Sequence, residues 1–179
     1  MPARTPQQRF QRLLAIARFD AISLIVVAGP AALVALVLRE WPSAAVGVAV
    51  ALCGWLEWLG QRQLSRSHRH GLGWMCTAQL VCLLAILLYA RHLAGQARAD
   101  HILQLLPSFT REQLFEVFPD SESAEEFLLF VQRLMVAAIA LVAIVYQGAM
   151  ALYYLRARAL VRTVFEQPTP LAEPPVLRK

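Results

Sequence analysis

Glu57 is the residue in this chain best placed to do chemistry. It stands in the stretch GWLEWLGQRQLSRSHRH (54–70), between Trp55 and Trp58, on the apolar side of a cluster of arginine and histidine. A carboxyl group among such neighbours must hydrogen-bond to a partner or hold a proton or a cation, because an isolated charge there is costly. Its spacing gives it a direction. Gly47, Val50, Gly54, Glu57 and Gln61 follow steps of three and four and share one helix face. Two of them are glycines, and small residues let membrane helices approach closely. Glu57 is therefore expected to face a neighbouring helix, with Trp55 turned nearly the opposite way and Trp58 on the flank.

Two amides are candidate partners. Gln79 shares a face with Cys76, Leu83, Ile86 and Ala90, and Gln147 shares one with Ala140, Ala143 and Ala151. Counted from the nearest basic flank, each lies about nine residues inside its apolar run, roughly 13 Å at helical rise, with Glu57 shallower. Ser23, Thr77 and Tyr146 fall in the same half. The expectation is an intramembrane polar cluster of Glu57, Gln79 and Gln147, with Ser23, Thr77 or Tyr146 contributing. Such a cluster is either interhelical hydrogen bonding, worth less than about 1–2 kcal/mol per bond, or a proton or cation site centred on Glu57.

Other reactive residues point less far. His68 and His70 make an H-x-H pattern in a basic loop, without a third or fourth ligand nearby in sequence. His92 and His101 lie outside the apolar runs, so no histidine is placed to ligate a haem inside a bundle. Cys53, Cys76 and Cys82 all lie in apolar runs without a C-x-x-C pair, and read as small apolar filling. No P-loop, G-x-S-x-G or H-E-x-x-H motif is present. No catalytic residue, metal or cofactor is expected.

The elements that must position Glu57 follow from composition. Of the 179 residues 58% are hydrophobic, and the mean hydropathy is +0.51. The excess gathers in runs long enough for a bilayer core of roughly 30 Å. The spans are expected at about 20–38, 43–60, 72–90 and 134–155. The first carries Gly29-Pro30 at its centre, which predicts a kink. Its apolar run is too long for a signal-peptide core and a second run follows through SAA (43–45), so it reads as an uncleaved span. REWPS (39–43) makes a tight turn. Trp41, Trp55, Trp58 and Trp74 sit where interface aromatics belong.

Residues 1–19 form an amphipathic N-terminal segment. Thr5 and Gln8 make a capping box around Pro6, and Phe10, Leu13, Leu14 and Ala17 share a face. This predicts either a short interfacial helix or an extension of the first span. Residues 91–133 are the one long polar connection, acidic in its second half. Thr110-x-x-Gln113 and Ser123-x-x-Glu126 read as capping boxes. Pro119 should end a short helix, REQLFEVF, and the next helix should run from Ser121 into the fourth span and on through RARALVRTVFE. Leu105, Leu106, Phe109, Leu114, Phe115 and Phe118 give this connection an apolar side, for the bundle top, the membrane surface or a partner. Residues 167–179 read as a disordered tail.

The net charge of +5 is almost all arginine; Lys179 is the one lysine. The arginines flank apolar runs, so their role is topology and lipid contact rather than nucleic acid. Arg9, Arg12 and Arg18, then Arg62, Arg66 and Arg69, then Arg156, Arg158 and Arg162 all fall on one side of a four-span chain and are expected to face headgroups. Both termini are then cytoplasmic and 91–133 extracytoplasmic, in the inner membrane of a bacterium whose GC-rich genome would favour arginine. The fold expected is an all-α membrane protein: four transmembrane helices in an up-down bundle, a short amphipathic N-terminal helix and a small extracytoplasmic helical segment between spans 3 and 4. Its partners are the lipid bilayer and a possible homo-oligomer or membrane protein. The function reads as non-enzymatic, structural or accessory; the alternative is an oligomeric channel or transporter for a small ion or solute with Glu57 in the path.

Overall fold

The computed structural model describes residues 5–96, 103, 107–118 and 120–166. Five helices make up these residues: α1 (Pro6–Val37), α2 (Trp41–Ser65), α3 (Gly71–Gly95), α4 (Ser108–Val117) and α5 (Ser121–Glu166). Four of them, α1, α2, α3 and α5, are long and apolar enough to cross a membrane. The chain is thus an all-α helical bundle of membrane type. Leu105, Leu106, His101, Pro119 and the tail 167–179 lie outside the described residues.

The helices run up and down. α1 packs on α2, α2 on α3 and α3 on α5, and a sparser contact between α1 and α5 closes the ring. Small residues set the closest approaches. A Cβ added at Gly54 would lie 2.9 Å from the Ala21 carbonyl oxygen and 2.9 Å from Leu24 Cβ. One added at Gly60 would lie 2.7 Å from the Gly71 carbonyl oxygen on α3. Helix α2 therefore presents glycine to both neighbours, where a side chain would wedge the backbones apart.

The α1–α2 and α2–α3 connections are short because α1 and α2 each end in a folded-back turn. Arg39 adopts φ 60° after α1, and the Glu40 N–H donates to the Ala35 carbonyl at 2.9 Å. Ser67 adopts φ 65° after α2, and the His68 N–H donates to the Gln63 carbonyl at 3.0 Å. Both are Schellman closures, with a side chain at the left-handed position where glycine is usual. At the start of α1 the Thr5–Gln8 capping box forms in both directions.

The structure corrects several sequence expectations. The N-terminal segment is not a separate interfacial helix: α1 is continuous from Pro6, and it passes Pro30 without ending. The face Phe10, Leu13, Leu14 and Ala17 is buried in a core with Leu64, Met75, Tyr154 and Val161 from three other helices. Burial against protein, rather than lipid, fixes that segment, and Phe10 meets Phe165 edge to face at 5.8 Å. Thr110 lies inside α4, which begins at Ser108 after Pro107, so it is no cap. At the start of α5, Asp120 takes the capping role expected of Ser123 and accepts from the Ser123 N–H at 3.3 Å. Helix α5 does run unbroken from Ser121 through the fourth span, as expected. Its 46 residues make it about 69 Å long, far longer than a bilayer core. Helix α4 buries no residue; just beyond it, Phe118 stacks on Phe127 at 4.9 Å.

Candidate intramembrane polar site

Four polar side chains are buried among the described residues: Asp20, Glu57, Gln79 and Gln147. Three of them meet. The Gln79 amide nitrogen donates to Asp20 Oδ2 at 2.7 Å and to Glu57 Oε2 at 2.8 Å. The other oxygen of each carboxyl accepts from a tyrosine on α5. Tyr146 donates to Asp20 Oδ1 at 2.6 Å, and Tyr154 donates to Glu57 Oε1. The chain Tyr146–Asp20–Gln79–Glu57–Tyr154 thus takes a group from each of the four long apolar helices.

Local sequence explains each placement. Glu57 follows the glycine face of α2 and is fully buried, while Trp55 is half exposed. Gln79 lies on the buried face of α3 with Met75, Cys76 and Cys82. Asp20 continues the α1 face that begins at Phe10, because 10, 13, 17 and 20 step by three and four. Tyr154 lies seven residues after Gln147 on the α5 face that holds Ala143 and Ala151. It is fully buried and belongs to the apolar core beside the network.

The sequence-predicted cluster is therefore changed in membership. Glu57, Gln79 and Tyr146 are in it. Gln147 is buried but bonds elsewhere, its amide nitrogen reaching Cys82 Sγ at 3.5 Å. On the buried face of α5 it is Tyr154, two turns further on, that reaches Glu57. Thr77 is exposed, one position off the buried face formed by Cys76 and Gln79. Ser23 is half-buried and has no hydrogen bond to the network. Asp20 and Tyr154 are the members that the sequence reading missed. Treating residues 1–19 as a separate segment cut the α1 face just before Asp20. The α5 face was followed only to Ala151, one turn short of Tyr154.

Electrostatically the site is one-sided. Neither carboxyl has an ion-pair partner among the described residues; the ion pairs there are Arg69–Glu166 at 4.0 Å and Arg162–Glu166 at 2.9 Å. The Gln79 carbonyl oxygen is buried without a hydrogen-bond partner among the described groups. Cys53 and Cys82 are both buried. They are free thiols, which fits apolar filling. No group of three or more His, Cys, Asp or Glu able to hold a metal ion occurs among the described residues.

The remaining predicted residues are peripheral. Trp41, Trp55 and Trp74 are exposed, and Trp58 stacks under the Arg62 guanidinium at 5.5 Å. Arg9, Arg12, Arg18, Arg62, Arg66, Arg69, Arg156, Arg158 and Arg162 are all exposed and cluster at the end of the bundle where α1 begins and α5 ends. Comparison with protein-family models, with curated proteins and with solved structures finds no match to this chain.

Proposed function

We propose that the chain is a non-enzymatic integral membrane protein of structural or accessory type, whose four spans are locked together by the Asp20–Gln79–Glu57 centre. The observation that carries this reading is the double donation by Gln79, because it joins carboxyls from α1 and α2 through an amide from α3 while α5 supplies a tyrosine to each. Two carboxylates sharing one donor in a medium of low dielectric, with no cation beside them, repel strongly. Charge balance favours one proton held within the pair, and the tyrosines and the amide then satisfy the remaining lone pairs. A centre of this kind specifies which faces of the helices meet. The proposed setting is a bacterial inner membrane with both termini cytoplasmic, supported by the arginine cluster at that end.

A second reading is favoured by the unpartnered Gln79 carbonyl oxygen. With the two carboxyls it makes an oxygen-rich spot suited to a small cation or a mobile proton. The protein would then be a channel or transporter with Glu57 in the path.

Reconstitution in liposomes separates the two. The structural reading expects no proton or monovalent-cation flux above that of empty liposomes, and an unchanged baseline in Glu57→Gln. A flux carried by the wild type and abolished by Glu57→Gln, in a variant that still folds, would overturn it in favour of the second.

A further inference from the structure

A groove runs between α1 and α5 at the arginine-rich end, beside the apolar core that the two helices share there. Its volume is about 600 Å³, and Arg9 and Arg12 of α1 face Arg156 of α5 across it. Antiparallel packing places Ile16 and Tyr153 at the end nearest the bilayer centre. None of the three arginines has an ion-pair partner among the described residues, whereas Arg69 and Arg162 at the same end share Glu166. The groove is therefore cationic at its mouth and apolar along its walls.

We propose that this groove seats one anionic phospholipid, its phosphate held by Arg9, Arg12 and Arg156 and the start of an acyl chain laid against Ile16 and Tyr153. Charge complementarity argues for that occupant. Guanidinium groups converge on phosphate through charge-assisted, bidentate hydrogen bonds, and basic clefts between spanning helices suit acidic headgroups. The apolar inner end argues for a lipid over a free anion, since inorganic phosphate would leave those walls unused. A lipid in this seat also bridges α1 and α5, the sparsest contact between neighbouring long helices, and so would act as part of the bundle rather than of a diffuse charged belt.

The test is native mass spectrometry of the full chain released from detergent, titrated with phosphatidylglycerol or phosphatidylcholine. The wild type should retain one phosphatidylglycerol in preference to phosphatidylcholine. Arg9→Gln/Arg12→Gln/Arg156→Gln should weaken retention on the order of a hundredfold, at roughly fivefold for each arginine. Arg62→Gln/Arg66→Gln/Arg158→Gln, an equal loss of charge outside the groove, should leave it within a few-fold of wild type. Ile16→Trp, which fills the inner end and keeps every charge, should also displace the lipid. Equal loss in both triple variants would show a belt and overturn the seat. So would full retention in the groove variant or in Ile16→Trp, or displacement of the lipid by millimolar inorganic phosphate.

Discussion

At the scale of single residues, Gln79 is the pivot of the buried centre, because one amide nitrogen serves two carboxyls. Replacing it with leucine leaves both acids short of a donor, and each unsatisfied buried group costs about 1–3 kcal/mol. Gln79→Leu should therefore lower stability by about 3–5 kcal/mol, read from the far-ultraviolet circular dichroism of a denaturing-detergent titration. Tyr154→Phe removes only the hydroxyl that donates to Glu57 and should cost about 1–2 kcal/mol by the same titration. Asp20→Asn and Glu57→Gln should not be additive, since both act on the same donor. Glu57 and Gln79 were legible in the sequence because a lone polar group in an apolar run has to find a partner. Asp20 was not, because it stands at the edge of such a run and reads as its boundary. Only the continuity of α1 brings it inside.

At the scale of elements, helix approach is set by α2. Valine at Gly54 would press its side chain on the Ala21 backbone, next to Asp20, and force α1 and α2 apart. Gly54→Val should destabilise by about 2 kcal/mol through overpacking, and more if the Asp20–Gln79 bond is lost with it. The turns give a prediction of opposite sign. Ser67 holds a left-handed conformation that costs a residue bearing a Cβ about 1–2 kcal/mol. Ser67→Gly should accordingly raise stability by about 1 kcal/mol, less the extra chain entropy that glycine gains when unfolded. Periodicity in the sequence identified the glycine face of α2 and the unbroken course of α5. It placed the start of α5 at Ser121 but not that of α4 at Ser108, and it missed Asp120 as the cap, because several Ser, Thr and Asp residues compete there and only the fold decides.

At the scale of the whole molecule, the main cluster of buried apolar side chains is not at the bundle's centre. It lies at the arginine-rich end, where Phe10, Leu13 and Ala17 of α1 meet Tyr154, Ala157 and Val161 of α5. The four long apolar helices were readable from hydropathy, because a bilayer demands long apolar runs. Which side chains meet was only partly readable: Gln147 and Tyr154 share the buried face of α5, and only the packing decides that Tyr154 meets Glu57 while Gln147 turns to Cys82. The polar centre and this core adjoin, so loosening one should loosen the other. Truncating Phe10 to alanine should cost about 3 kcal/mol, and faster hydrogen exchange around Tyr154 would show the coupling. The buried pair Asp20 and Glu57, joined through Gln79, is proposed to hold one proton. Infrared spectroscopy of the protein in lipid at neutral pH tests it most directly, through the carbonyl band of a protonated carboxylic acid. The band should be present in the wild type, altered in Asp20→Asn and in Glu57→Gln, and absent from the double variant. A wild-type spectrum with both carboxyls ionised would rule out the held proton.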